Sequence, residues 1–146
     1  MTLPARPARG LAIVTCMDCR LDVLGPLGLE LGEAHVIRNA GGIITDDVIR
    51  SLAISQRKLG TREVMLIHHT ECGMQTLDED QFRAELRDSA GADPPFAIGA
   101  FADAEADVRE SMRRVRQSPF LLHRESVHGF IYDVKTGQVR EISYDQ

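Results

Sequence analysis

The sequence predicts an α/β domain in which a mostly parallel central sheet is flanked by helices and ends in a C-terminal antiparallel hairpin or edge strand. The apolar run LAIVTC (Leu11–Cys16) is typical of a strand that is buried on both faces of a parallel sheet. Strand, helix and strand patterns then follow one another across residues 34–69, which indicates parallel strands joined by a crossover helix. Near the end of the chain, two segments of alternating polarity flank the Lys-Thr-Gly turn at residues 135–137, as in a hairpin.

The other elements follow in chain order. AHVIRNA (34–40) predicts a second strand, and EVMLIHH (63–69) predicts a third. Between them, Thr45 is placed to cap a helix that carries apolar residues at helical spacing and ends at a glycine. Residues 78–89 and 102–117 predict two more helices, separated by a loop that contains two adjacent prolines.

The length and composition predict a single domain over residues 1–146, with residues 1–10 as a flexible N-terminal tail. A net charge of −5 without a basic stripe argues against a nucleic-acid partner. No apolar run approaches the roughly 18 residues that a membrane span needs, and the N-terminal apolar segment is too short for a signal peptide. We therefore expect a cytoplasmic protein, in which three cysteines indicate a metal site or catalysis rather than disulfides.

Cysteine and histidine side chains follow two strands that the pattern places in one parallel sheet. Cys16 ends the first strand, while His69 and Cys72 stand at H-x-x-C spacing at the end of the third. Parallel sheets bind ligands beyond the carboxyl ends of their strands, so we expect these three groups at one edge. Three such ligands with a fourth position open to water are typical of catalytic zinc, which generates a hydroxide nucleophile. The neighbouring His68 is either a proton shuttle or the donor of a local hydrogen bond.

Asp18 and Arg20 follow the first of these cysteines. A carboxylate two residues from a ligand is able to fill the fourth metal position and close the site. Alternatively, Arg20 holds Asp18 through a forked pair of hydrogen bonds, and Asp18 accepts a hydrogen bond from the hydroxide. The sequence leaves both arrangements open.

Cys19 forms a C-x-x-C pair with Cys16 and supports two alternative hypotheses. In the first, Cys19 joins Cys16, His69 and Cys72 in a closed structural zinc site, and the protein is a non-catalytic module. In the second, the C-x-x-C pair is a thioredoxin-like redox centre. The second hypothesis leaves His69 and Cys72 without a role.

Four segments together resemble the β-class carbonic anhydrases, and most of all their compact bacterial and archaeal branch. They are CMDCR (16–20), which fits C-x-D-x-R; VIRNAGG (36–42); HTECG (69–73), which fits H-x-x-C-G; and VHGFIYDVKTGQV (127–139). The resemblance extends from about residue 11 to residue 143. It implies the fold described above and a zinc enzyme, with one Zn²⁺ per chain, that interconverts CO2 and bicarbonate.

The resemblance also implies site residues and partners. Cys16, His69 and Cys72 are the metal ligands, and Asp18 and Arg20 form the catalytic pair. In closed members of the family, the residue that matches Asp18 becomes the fourth zinc ligand. The expected partners are the small-molecule substrate and further copies of the chain in a homodimer or larger homo-oligomer, with no nucleic acid and no membrane. The same branch contains hydrolases of COS or CS2, which are an alternative.

Two positions depart from the family pattern. Cys19 stands where the family commonly has a small residue such as Ser or Ala. Ile13 stands where bicarbonate-regulated members have a Trp, and the chain contains no Trp. We therefore do not expect regulation by bicarbonate at that noncatalytic position.

Overall fold

The computed structural model describes residues 3–144 of the chain. A five-stranded sheet is built from β1 (Leu11–Cys16), β2 (Ala34–Asn39), β3 (Glu63–His69), β4 (Val127–Tyr132) and β5 (Val139–Ile142). The strands lie in the order β2-β1-β3-β4-β5, in which the first four are parallel and β5 is antiparallel to β4. The predicted fold class is confirmed, with β5 as the antiparallel edge strand.

Four α-helices accompany the sheet: α1 (Asp46–Leu59), α2 (Gly73–Thr76), α3 (Glu79–Ala90) and α4 (Ala104–Gln117). The α1 helix begins after Thr45, whose hydroxyl accepts a hydrogen bond from the backbone of Val48, as predicted. The predicted start of α4 at residue 102 is wrong by two residues, because the Asp103 carboxylate caps the helix. The short α2 was not predicted. Within residues 3–144, no helix combines the length and the apolar composition that a bilayer crossing requires.

Two apolar layers lie on opposite faces of the sheet. On one face α1 and α4 pack against β1, β3 and β4 through residues such as Leu52, Val108 and Met112. Gly129 in β4 lies so close to α4 that a methyl group there would collide with Val108 and Met112. The opposite face is covered mainly by the loop after β1, which includes Leu21. The strand β1 is buried along its whole length, as its continuous apolar run predicts.

The carboxyl ends of β1 and β3 lie side by side because these two strands pair directly and in parallel. Their register sets Leu11 beside Glu63 and Thr15 beside Ile67. Both strands therefore end at the same edge of the sheet. This edge carries the polar residues of the two motifs.

The sequence predicts a flexible tail over residues 1–10. Residues 1–2 lie outside the described part of the chain. The backbone N–H groups of Ala8 and Arg9 donate to the carbonyls of Gly32 and Glu33 at 2.9 and 3.0 Å. His35 Nε2 donates to the carbonyl of Ala5 at 2.9 Å. The segment before β1 therefore lies along the start of β2, and its flexibility stays a prediction.

Candidate metal centre

The structure brings together the three residues that the sequence predicts as metal ligands. The two sulfurs of Cys16 and Cys72 and a ring nitrogen of His69 all lie within 4.8 Å of one another. All three residues are buried, and the His69 side chain has no exposed surface. Three sequence-distant groups therefore form one compact donor set at the carboxyl ends of β1 and β3.

His69 presents one ring nitrogen that is ready to bind a cation. Its Nδ1 lies 2.7 Å from the Thr70 carbonyl oxygen, which can only accept, so Nδ1 carries the proton. The other nitrogen, Nε2, is buried and has no hydrogen-bond partner among residues 3–144. A buried polar atom without a partner costs about 1–3 kcal/mol. A metal ion bound to Nε2 would remove that cost, so this tautomer fits a metal ligand.

The two sulfurs complete a donor set of the kind that zinc prefers, with two cysteines and one histidine. Burial raises the pKa of the Cys72 thiol above its ordinary value, and the neighbouring Cys16 sulfur raises that pKa further. A divalent cation between the sulfurs would reverse this effect, because a coordinating thiol is deprotonated. The backbone N–H of Gly41 also donates to Cys16 Sγ at 3.3 Å. The centre therefore fits zinc by the types of its donors and by their burial.

The segment after β2 shapes one wall of this centre. The predicted strand 34–40 ends one residue early, because residues 40–42 form a short 3₁₀ turn. The side chain of Asn39 fixes this turn by bonding both the N–H and the carbonyl of Ile43. Gly42 has a φ of 65°, and a Cβ there would lie 2.9 Å from the carbonyl carbon of Thr15. Glycine at this position lets the turn lie directly against the end of β1.

Arg38 organises the loop that follows Cys16. Its Nε donates to the Cys16 carbonyl at 2.8 Å, and its Nη2 donates to the Asp18 carbonyl at 2.7 Å. A longer contact of 3.4 Å joins Nη2 to the Leu21 carbonyl. One guanidinium therefore holds the backbone on both sides of Met17. We did not predict this role, although Arg38 belongs to the quoted VIRNAGG motif.

Asp18 and Arg20 form the forked pair that the sequence suggests. Arg20 Nη2 donates to Asp18 Oδ2 at 2.6 Å, and Arg20 Nε donates to Asp18 Oδ1 at 3.0 Å. The backbone N–H of Arg20 adds a bond of 2.9 Å to Oδ1. These bonds from Arg20 hold the pKa of the Asp18 carboxyl well below its usual range, and the nearby His69 lowers this pKa further.

The Asp18 carboxylate lies beside the donor set, 3.7 Å from His69 Nε2 at its nearest oxygen. It does not belong to the compact group of Cys16, His69 and Cys72. Arg20 also donates to the carbonyl of Glu71 at 3.1 Å. Glu71 has a φ of 55°, a left-handed conformation that is uncommon for a residue other than glycine. Arg20 therefore ties the loop after β1 to the turn after β3.

His68 and Cys19 lie outside the donor set. His68 Nε2 donates to Asp107 Oδ2 at 2.6 Å, and its ring lies 4.9 Å from the ring of Phe101. Of the two interpretations of His68, the local hydrogen bond is the one that the structure contains. Cys19 is exposed, whereas Cys16 is buried.

Comparisons with the sequences and structures of known proteins point to the same family. A family model described as carbonic anhydrase matches residues 11–92. The chain is 52% identical to β-carbonic anhydrase 1 of Mycobacterium tuberculosis, over 97% of this chain and 86% of that protein. A crystal structure of carbonic anhydrase from Streptococcus mutans superposes with a TM-score of 0.91 at 46% identity, covering 98% of this chain and 87% of the other. A carbon disulfide hydrolase of Acidithiobacillus thiooxidans is 36% identical over 90% of this chain and 76% of its own length.

Replacement of Arg38 should weaken metal binding without removing any donor atom. We expect Arg38→Lys to lower Zn²⁺ affinity by about 10- to 100-fold, because a lysine cannot replace the fork that holds the loop after Cys16. Competition with a chromophoric chelator measures this affinity. Arg83→Lys is the matched control, since Arg83 also donates to backbone carbonyls but does so at residues 94 and 96. Equal Zn²⁺ affinity in both variants would show that Arg38 does not organise the centre.

Proposed function

This chain belongs to the β class of the carbonic anhydrase family, and from that premise we propose that it is a lyase catalysing the reversible hydration of CO2 to bicarbonate and a proton. In this proposal Cys16, His69 and Cys72 hold one Zn²⁺ per chain. Asp18 and Arg20 act beside the metal. The relative at 52% identity, β-carbonic anhydrase 1 of M. tuberculosis, supports this substrate.

The compact donor set carries the proposal. Two sulfurs and the unpartnered His69 Nε2 lie within 4.8 Å of one another in a buried position. Two thiolates and one neutral imidazole balance the charge of a divalent ion. When bound there, zinc supplies Lewis-acid chemistry that lets water act as a nucleophile near neutral pH.

Asp18 positions the water that attacks CO2. An ionised carboxylate only accepts hydrogen bonds, so Asp18 fixes a water by accepting a hydrogen bond from one of its O–H groups. The depressed pKa keeps Asp18 ionised at every physiological pH. The folding stability that its pairing with Arg20 contributes is fully present above pH about 4, the ordinary pKa of Asp, and is lost as the pH falls from there through the lower folded-state pKa. When Asp18 is ionised, its carboxylate is hydrogen-bonded to Arg20. This pairing favours an open fourth metal position.

The surroundings of the donor set suit an uncharged substrate. Cys16 and Cys72 belong to an apolar cluster that also contains Leu21, Ile67 and Tyr132. CO2 carries no net charge and donates no hydrogen bond. Apolar side chains next to the Asp18 carboxylate therefore favour the binding of CO2 beside the water and disfavour the binding of polar molecules.

Asp18→Asn tests the catalytic role. We expect the variant to retain zinc and to lose roughly 10²- to 10⁴-fold in kcat/KM for CO2 hydration, the usual range for loss of a positioned proton acceptor. Stopped-flow CO2 hydration and zinc content by mass spectrometry are measured on the same samples. Asp47→Asn is the matched control, because Asp47 is an exposed carboxylate on α1. Fully zinc-loaded wild-type protein without hydratase activity would refute the proposed function.

Hydrolysis of COS or CS2 is the second candidate. The 36% identity to a carbon disulfide hydrolase is the observation that favours it. We expect CO2 hydration to exceed sulfide release from COS and CS2, because identity to the carbonic anhydrase relatives is higher. Parallel assays with CO2, COS and CS2 on one zinc-loaded preparation decide between them. Faster turnover of a sulfur substrate would reassign the enzyme.

Cys19→Ser separates an open metal centre from a closed structural one. Because Cys19 is exposed and stands outside the donor set, we expect the variant to keep both zinc and hydratase activity. Cys72→Ser is the contrasting variant and should lose zinc, since it removes one of the three donors. Zinc content measured after gel filtration reports both results. Loss of zinc in Cys19→Ser would support the closed site with three cysteines and one histidine.

We further propose that the enzyme acts in the cytoplasm as a homodimer or larger homo-oligomer. The edge strand β2 pairs with β1 on one side. Exposed Val36 and Ile54 contribute to an apolar groove beside it, and such surface is common at subunit contacts. Three free cysteines are consistent with a reducing compartment. Sedimentation velocity of the zinc-loaded protein gives the size of the assembly.

A further inference from the structure

A polar cavity lies at the opposite end of the sheet from the candidate metal centre. It has a volume of about 610 Å³ and is lined by residues that precede β3 and β4 or end α4: Arg62, Arg116, Leu122, His123, Arg124, Glu125 and Ser126. Arg62 comes directly before β3, and His69 ends the same strand. None of the residues assigned to the metal centre lines this cavity. It is therefore a separate feature of the fold.

The cavity gathers positive charge on a chain whose net charge is −5. Arg62, Arg116 and Arg124 face one carboxylate, that of Glu125. Within residues 3–144, none of these three arginines forms an ion pair. Eight other arginines do: Arg9, Arg20, Arg50, Arg87, Arg109, Arg113, Arg114 and Arg140. Three guanidinium groups and one carboxylate leave the cavity with an excess of positive charge, which attracts anions.

Two of the three arginines, Arg116 and Arg124, are held in place by other residues. Arg116 Nη2 donates to the carbonyl of Val127 at 3.1 Å, and the guanidinium stacks 4.3 Å from the centre of the Tyr144 ring. Arg116 Nε is buried and has no partner among the described residues. Arg124 Nη1 donates to the Ser118 carbonyl at 3.2 Å. These contacts order the charged groups before any ligand arrives, which lowers the entropic cost of binding.

A buried glutamine fixes the wall formed by residues 122–123. Gln56 Oε1 accepts hydrogen bonds from the backbone N–H groups of Leu122 and His123, at 2.9 and 3.0 Å. Its Nε2 donates to the His123 carbonyl at 2.9 Å. Because Gln56 belongs to the buried face of α1, the wall is tied to the core. The cavity is therefore preformed.

From this arrangement we propose that the cavity is a binding site for a small molecule that carries a diphosphate group. Guanidinium groups match phosphate oxygens in charge and in hydrogen-bond geometry. The cavity volume lies within the range of small-molecule sites, about 300–1,000 Å³, and greatly exceeds the size of one inorganic phosphate. Two linked phosphates would bridge arginines from different elements. Inorganic pyrophosphate and a nucleoside diphosphate share this chemistry.

The test is a titration of ¹⁵N-labelled, zinc-loaded protein with pyrophosphate and, separately, with ADP. We expect saturable shifts of the backbone amide signals of residues 62 and 122–126. Equal affinities would indicate that the diphosphate alone is recognised, and tighter binding of ADP would indicate a nucleotide; both results support the site. Zinc content is measured after each titration, because both probes also bind metal ions.

Charge-removing variants make the assignment specific. Arg62→Gln with Arg124→Gln should weaken binding about tenfold or more, as loss of a charge-assisted hydrogen bond predicts. Arg62→Gln alone should weaken binding by a smaller factor. This variant should fold normally, because the Arg62 side chain makes no hydrogen bond to other residues within 3–144. Arg50→Gln with Arg87→Gln is the matched control, because it removes the same charge from exposed positions outside the cavity. The proposal is overturned by an absence of saturable shifts, by equal weakening in the control, or by shifts confined to Asp18, His69 and Cys72.

Discussion

The candidate metal centre depends on the direct parallel pairing of β1 with β3. This pairing sets Thr15 beside Ile67, and the buried Thr15 hydroxyl donates to the Ile67 carbonyl at 2.9 Å. Cys16 therefore leaves the sheet next to the end of the strand that carries His69. A shift of one residue in this register would turn His69 to the other face of the sheet, because side chains alternate along a strand. The buried hydrogen bond from Thr15 to the Ile67 carbonyl opposes such a shift.

A second requirement is that the loops at this edge keep one conformation. Charged side chains donate to backbone carbonyls at this edge of the sheet. Arg38 does so for Cys16 and Asp18, while Arg20 does so for Glu71 on the opposite turn. Each guanidinium donates from several N–H groups in a fixed plane, so Arg38 restrains two backbone positions and Arg20 links the Glu71 carbonyl to the Asp18 carboxylate. The position of Asp18 relative to His69 follows from these bonds.

The sequence is sufficient to predict the strands and the donor residues, because the signals for both are local. The apolar run of β1 and the H-x-x-C spacing after β3 each occupy a few consecutive residues. The role of Arg38 was not predictable in this way, because the carbonyls that it contacts lie together only after the loop has folded. The same reason applies to Asp107, the partner of His68, which lies 39 residues further along the chain. The start of α4 was mispredicted because the residues before the Asp103 cap suit a helix by composition alone.

The two ends of β3 carry different chemistry, and their separation decides whether they influence each other. The strand spans seven residues, so Arg62 and His69 lie about 20 Å apart along the sheet. Exposed charges are screened over about 8 Å at physiological ionic strength, so an anion near Arg62 changes the potential at the metal centre very little. A mechanical effect would require β3 to move, but β3 is paired on both sides and packed against α4. If the arginine cavity binds an anion and the donor set binds a metal, the two act independently, and occupation of the first should leave the chemistry of the second unchanged.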